Sequence, residues 1–145
     1  MTASRVTYDT NVFIRHDPAY FPAGFFMSAV VIQELTAGAR DSAQTRRLDQ
    51  ARKQYEAEDR LLVPTGEDWW MAGKVLSALH RGLRSHKSGH VTAIPRGEQQ
   101  RIIRDVLIAR AAKRVNATVV TENLADFEKI QNFCNVKFVS PSDFF

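Results

Sequence analysis

Ala117-Thr118-Val119-Val120-Thr121, running into Glu122-Asn123, is the stretch on which the fold turns. It is uncharged, rich in β-branched residues and bounded by Asn116 and Glu122-Asn123, so it reads as a buried strand. On its N-terminal side the pattern predicts a long helix from about Glu98 to Val115, with Asn116 as its stop. On its C-terminal side Leu124 to Ile130 reads as a helix and Val136-Lys137-Phe138-Val139 as a last strand. Further out, Arg5-Val6-Thr7-Tyr8 is a β-rich run ending at Asp9, and Asn11 to Ile14 a brief helical turn that Asp9 or Thr10 can cap. Phe25-Phe26-Met27 is a second short strand, and Ser28 can cap a helix from Ala29 to about Gly38. Asp41-Ser42 opens another helix, Leu61-Leu62-Val63-Pro64 is strand-like, and Asp68 precedes a helix with the stripe Trp69, Ala72, Leu76, Leu79 and Leu83. Arg84 to Gly97, punctuated by Gly and Pro, is expected to be a loop. Strands alternating with helices imply an α/β fold with three layers, α/β/α, around a central parallel sheet of four to five short strands.

The chain has 145 residues, 44% of them apolar and 25% charged, enough for one compact domain spanning 1–145. Seven Gly and five Pro leave no room for a collagenous or low-complexity tract. The longest apolar runs are far short of the ~20 residues a membrane helix needs. Met-Thr-Ala-Ser-Arg-Val at the start has no signal-like apolar stretch, and Cys134 has no second cysteine to pair with. The expectation is a cytoplasmic protein with no membrane partner.

Charge gives the first hint of a ligand. Twenty Lys and Arg against sixteen Asp and Glu leave the chain at +4. The window from His80 to Arg104 holds six of the basic residues (Arg81, Arg84, Lys87, Arg96, Arg101 and Arg104) and one acid, Glu98, so it carries more than the whole net excess. Such a local patch is suited to a polyanion, although a solvated loop would have the same composition.

Two acids are placed oddly for solvent-facing residues. Asp105 interrupts the apolar stripe Ile102, Ile108, Ala109 and Ala112, where an unpaired carboxylate is costly. Glu34 lies among Val30, Val31 and Leu35. Ligands of parallel α/β sheets bind outside the carboxyl ends of strands, where Asp9 and Thr121-Glu122-Asn123 fall. Converging buried acids would repel one another unless a cation compensates, and hard divalent ions with oxygen ligands are the natural compensators. The spacings alone carry no statement that these acids converge.

Val6-Thr7-Tyr8-Asp9-Thr10-Asn11, Ser28 with Glu34, Asp105-x-x-Ile108-Ala109, and Thr121-Glu122-Asn123-x-x-Asp126-Phe127, in that order, resemble the PIN-domain nucleases, most of all the VapC-type toxins of type II toxin–antitoxin systems. The resemblance implies a PIN-like three-layer fold and an Mg2+- or Mn2+-dependent endoribonuclease cutting structured RNA to 5′-phosphate and 3′-hydroxyl ends. It implies Asp9 as the central metal ligand, Glu34 and Asp105 completing the site, and Asp126 as the remaining carboxylate, directly or through water. Asn11, Thr121 and Asn123 would stand behind them, Asn11 and Thr121 orienting Asp9 and a water. Many family members carry an acid where Asn123 stands, which leaves the number of metals open, and Glu122 is a lesser substitute. Arg84, Lys87, Arg96, Arg101 and Arg104 are the candidates for RNA backbone contacts. A VapB-like antitoxin and a homodimer are the implied partners.

Each acid also has a purely structural use. Asp9 could cap a helix, Glu34 could pair with an arginine, Asp105 could bridge Arg101 or Arg104 (both expected to face away), and Asp126 could serve a helix dipole. His86 and His90, at i and i+4 in the loop, are expected near phosphate rather than on zinc, and His16 on the surface. Trp69-Trp70 is expected to pack in the core or at a dimer interface rather than to stack on bases. Two other functions fit the same residues: a housekeeping RNA-maturation nuclease without antitoxin, and a non-catalytic RNA-binding module.

Overall fold

The computed structural model of the chain describes residues 5–84 and 94–145. Strand β1 (Val6–Tyr8) leads through Asp9 into α1 (Thr10–Arg15), then a 3-10 turn at Pro18–Tyr20. Gly24, at φ 84, takes the left-handed turn that brings the chain to β2 (Met27–Ser28). There follow α2 (Ala29–Ala37), α3 (Ser42–Ala57), β3 (Leu61–Leu62), α4 (Gly66–Arg84), α5 (Arg96–Arg114), β4 (Thr118–Val120), α6 (Leu124–Ile130), β5 (Phe138–Val139) and α7 (Pro141–Phe144). Strands β1, β4 and β5 form one parallel sheet with β4 in the middle, and β2 pairs β3 in parallel beside it. A parallel bridge between Thr7 and Phe26, with the Phe26 N–H donating to Val6 O, links the two pieces through β1. The expected parallel α/β architecture forms, with the five short strands split into a sheet of three and a separate pair rather than one sheet of four to five.

Local chemistry sets the element ends. Ser28 Oγ accepts the Val30 and Val31 N–H groups at the start of α2, and Asp41 accepts the Gln44 N–H at the start of α3. Asn116, at φ 57, supplies the left-handed residue that ends α5, close to where the sequence put the stop. The helix itself begins earlier than expected, at Arg96, so the basic residue Arg96 and Gly97 belong to its first turn rather than to the preceding loop. Asp68 does not precede α4 but sits in its first turn. It accepts the Thr65 N–H while Thr65 Oγ1 accepts the Asp68 N–H, a reciprocal capping box.

Helix α5 is the centre of the molecule. It packs on α4, α2, α6, β2 and β4, and Ile102, Asp105, Val106, Leu107, Ile108, Ala109, Ala111 and Ala112 are all buried. That is wider than a single stripe, as expected of a helix surrounded on several sides. The β1 end of the core is aromatic: Tyr8 stacks on Phe21 at 4.2 Å and meets Phe25 and Phe144 edge-on. Burial raises the Tyr8 phenol to about 12, so it stays neutral.

Helix α4 corrects one expectation. Its buried side is Asp68, Ala72 and Val75, with Leu76 and Leu79 packed against the core, whereas Trp69 and Trp70 are exposed rather than in the core. Lys74 lies 5.0 Å from the Trp70 ring. Lys87, His86 and His90, and the side chain of Arg84, lie outside the described residues. Among the described residues no helix is long and apolar enough to cross a membrane.

Candidate active site

Parallel pairing of β1 with β4 puts Tyr8 beside Val120, so Asp9 and Thr121 leave the sheet side by side. They are 112 positions apart in sequence. The Asp9 N–H donates to Val120 O, its Oδ1 accepts the Thr10 N–H at 2.8 Å, and its Oδ2 accepts the Thr121 hydroxyl at 2.8 Å. Both Asp9 and Thr121 are essentially inaccessible. Thr121 in turn accepts the Asn123 N–H at 3.0 Å, so the turn after β4 locks the hydroxyl that holds Asp9. A carboxylate oxygen can accept more than one bond, so both Asp9 oxygens retain acceptor capacity.

The other acids arrive from α2, α5 and α6. Glu34 Oε1 accepts the Thr10 hydroxyl at 3.0 Å, and Oε2 accepts Arg104 Nη1 at 3.1 Å. Asp105 Oδ1 accepts Arg104 Nε at 3.2 Å, while Oδ2 is buried and has no hydrogen-bond partner among the described residues. Asp126 Oδ2 stands 3.8 Å from Arg101 Nε. Both arginines flanking Asp105 therefore turn toward the acids, against the expectation that they face away. The structural uses weighed for Glu34 and Asp105 are thus realised, but only partially for Asp105.

Electrostatics show that the acids share one neighbourhood. Burial pushes the Asp105 carboxyl up to about 7; Arg104 opposes the rise, and the charges of Asp9 and Asp126 add to it. Burial works against the Arg104 charge, but Asp105, Asp9 and Glu34 outweigh it and hold the guanidinium above its ordinary value. Asp68 is the control. It is as inaccessible to solvent but lies less deep in the molecule, and the Thr65 N–H, Arg114 and Arg110 outweigh the effect of burial and bring it down to about 2. Two inaccessible aspartates in one protein thus differ in depth and in partners: Asp68 is shallower and fully paired, Asp105 deeper and under-compensated.

The remaining candidates separate cleanly. Asn11 Oδ1 accepts the Glu122 N–H at 3.3 Å, so this side chain ties the turn after β4 to α1. Glu122 lies 3.7 Å from His16, an ion pair when that histidine is protonated. Asn123 precedes α6, and its side chain makes no cap bond. Arg96 is exposed at the start of α5. Thr10, not singled out among the site residues, joins Asp9 to Glu34; its place between Asp9 and Asn11 was the available signal.

The oxygen-only donor set and the orphaned Asp105 Oδ2 fit a hard divalent cation. As the side chains lie, however, no group of three or more His, Cys, Asp or Glu among the described residues is gathered closely enough to hold one. Arg104 lies among the acids instead. Beside them runs a cleft of about 750 Å3, walled by Val30, Val63, Trp69 and Leu107 and meeting the acids at Glu34 and Arg104.

No family model and no curated protein matches the chain. Solved structures do. The chain is similar to one in a structure of FitAB bound to an IR36 DNA fragment, with a TM-score of 0.54 and 18% identity over 94% of each chain. It is similar to VapBC-1 of nontypeable Haemophilus influenzae, with a TM-score of 0.54 and 19% identity over 93% of this chain and 96% of that one. A DNA-bound VapBC of Salmonella typhimurium gives 0.54 and 20%, over 95% and 98%. At these identities the likeness shows the fold.

Proposed function

We propose that this PIN-like chain is an Mg2+- or Mn2+-dependent endoribonuclease, and the toxin of a VapBC-type pair. The observation that carries the reading is Asp105: an inaccessible carboxylate with one unpartnered oxygen, raised to about 7 in the company of Asp9 and Asp126. Such a group calls for a cation, and a structural aspartate such as Asp68 does not behave this way. The toxin reading is supported by the neighbours, which are FitAB and VapBC complexes sharing the fold over nearly the whole chain. It favours a VapB-like antitoxin as partner over a housekeeping nuclease working alone.

Asp9, Glu34, Asp105 and Asp126 would hold the ion. When bound, it lowers the pKa of a water and neutralises phosphate charge for in-line hydrolysis of a phosphodiester. The chain's own residues do the rest. Thr10 and Thr121 fix the Asp9 carboxylate, and Thr10 also fixes Glu34, so the acids are oriented before substrate arrives. Arg101, half-exposed at the cleft, and Arg96 at the start of α5 offer guanidiniums to the phosphates of a single strand.

The test is cleavage of structured RNA by the purified protein with Mg2+ or Mn2+, and again in excess EDTA. Chelation is expected to reduce the rate at least about a hundredfold, and Mn2+ to restore it. Undiminished cleavage in EDTA would overturn the metal-dependent reading.

A further inference from the structure

Arg104 occupies the ground between the acids. Its Nη1 is 3.1 Å from Glu34 and its Nε 3.2 Å from Asp105, so one guanidinium clamps α2 to α5. Its side chain is only 21% exposed, and the charge of Asp9 acts on it as well. Among the described residues Glu34, Asp105 and Asp126 pair with two guanidiniums, Arg104 and the more distant Arg101, and the charge of Asp9 adds a fourth carboxylate to the neighbourhood. Among the described residues arginine therefore supplies part of the compensation and leaves a deficit, of which the unpartnered Asp105 Oδ2 is the visible sign.

We propose that Arg104 is a built-in counter-cation that competes with the divalent ion, holding Glu34 and Asp105 in the metal-free protein and yielding them when the ion binds. The proposal rests on the metal-dependent reading above. It accounts for a donor set of the right chemistry that is not gathered tightly enough to hold an ion. The two Arg104 bonds use one oxygen each of Glu34 and Asp105, and the buried second oxygen of Asp105 is left for the ion once the guanidinium moves aside. A single positive charge on a planar fork satisfies two carboxylates at hydrogen-bond distance. A divalent ion at closer range satisfies more of them, so exchange is favoured once the ion is dehydrated. The arginine has somewhere to go, because its side chain also forms part of the cleft wall beside Arg101. There the released guanidinium becomes an anion-binding group next to the acids.

Two measurements test this. The first is Mn2+ titration by calorimetry of wild type, Arg104→Gln and Arg104→Lys, with melting of each in the presence and absence of Mn2+. Removing the charge is expected to tighten Mn2+ binding at least about tenfold and to lower the melting temperature of the metal-free form, with Mn2+ restoring it. Arg104→Lys, which keeps the charge, is expected to bind close to wild type. Equal or weaker Mn2+ binding by Arg104→Gln, with the same loss of stability with and without the ion, means an ordinary salt bridge and overturns the proposal. The second uses wild type alone, so it survives a misfolded variant. Phenylglyoxal labelling of Arg104, read by peptide mass spectrometry, is expected to be slow without metal and several-fold faster with Mn2+; labelling unchanged or slowed by Mn2+ overturns the proposal. Wild type that binds no Mn2+ would remove the metal-dependent reading itself, whereas tight wild-type binding unaffected by Arg104→Gln removes only this inference.

Discussion

Asp9→Asn and Asp105→Asn are each expected to lower RNA cleavage by about a thousandfold, some 4 kcal/mol of transition-state stabilisation, while leaving the fold intact. The fold should survive for reasons visible in the bonds. Asparagine at position 9 can still accept the Thr10 N–H with its oxygen, and Thr121 can rotate its hydroxyl to accept from the new amide. At position 105 the substitution removes a charge that burial and two neighbouring carboxylates already disfavour. The stability of Asp105→Asn should therefore stay within about 1 kcal/mol of wild type. Cleavage assays paired with urea melts check both halves. Either variant cleaving at the wild-type rate would remove its carboxylate from the chemistry. A variant that unfolds would show that the acid had been structural.

Asp68→Ala should do the opposite, costing about 3 kcal/mol of stability with cleavage by the folded fraction unchanged. Its carboxylate is inaccessible, closes the capping box with Thr65, and pairs with Arg110 at 2.8 Å and with Arg114. Removing it strands two guanidiniums and a helix-start N–H. The figure sits at the low end of the range for buried pairs because both arginines keep part of their surface in water. The sign of the pH effect follows from the same site. The carboxyl is held at about 2, below its ordinary 3.8, so the unfolded chain takes up the proton first as pH falls. The contribution, about 2 kcal/mol, is full above the ordinary value and lost as pH drops through about 2. Urea midpoints from pH 5 to pH 2 should fall more steeply in wild type than in Asp68→Ala. Parallel profiles, or a loss below about 1 kcal/mol at pH 7, would contradict the assignment.

Asp68 and Asp105 also mark where sequence reading succeeded and where it stopped. Asp105 was legible because it breaks an apolar stripe on a long helix. Asp68 breaks one too, with Ala72 and Val75 on its buried side, but the sequence stripe centres on Trp69, one residue away, and so makes the carboxylate read as a helix start. One residue turns a helical face by about 100°, enough to expose both tryptophans. What separates the two acids is depth and partners, the Thr65 N–H, Arg110 and Arg114 against a shared Arg104, and these lie on different elements or depend on rotamers that periodicity does not carry. Arg104 shows this most sharply. Its Cα is one step off the Ile102–Asp105 face, yet its long side chain bends back to reach Asp105 and Glu34. By contrast, β1 and β4 were readable as strands with polar endings, while the meeting of Asp9 with Thr121 was implied by the family resemblance, since strand order is not carried by local pattern. The boundaries of β2, β3 and β5 were less so, since strands of two residues carry little pattern of their own.

The central claim is that carboxylates from β1, α2, α5 and α6 together bind a divalent ion. Calorimetric titration of Mn2+ into the purified chain at neutral pH, beside Asp9→Asn, tests it most directly. The account predicts saturable binding by wild type that Asp9→Asn weakens at least about a hundredfold. No saturable binding by wild type, or equal affinity in the two proteins, would contradict it.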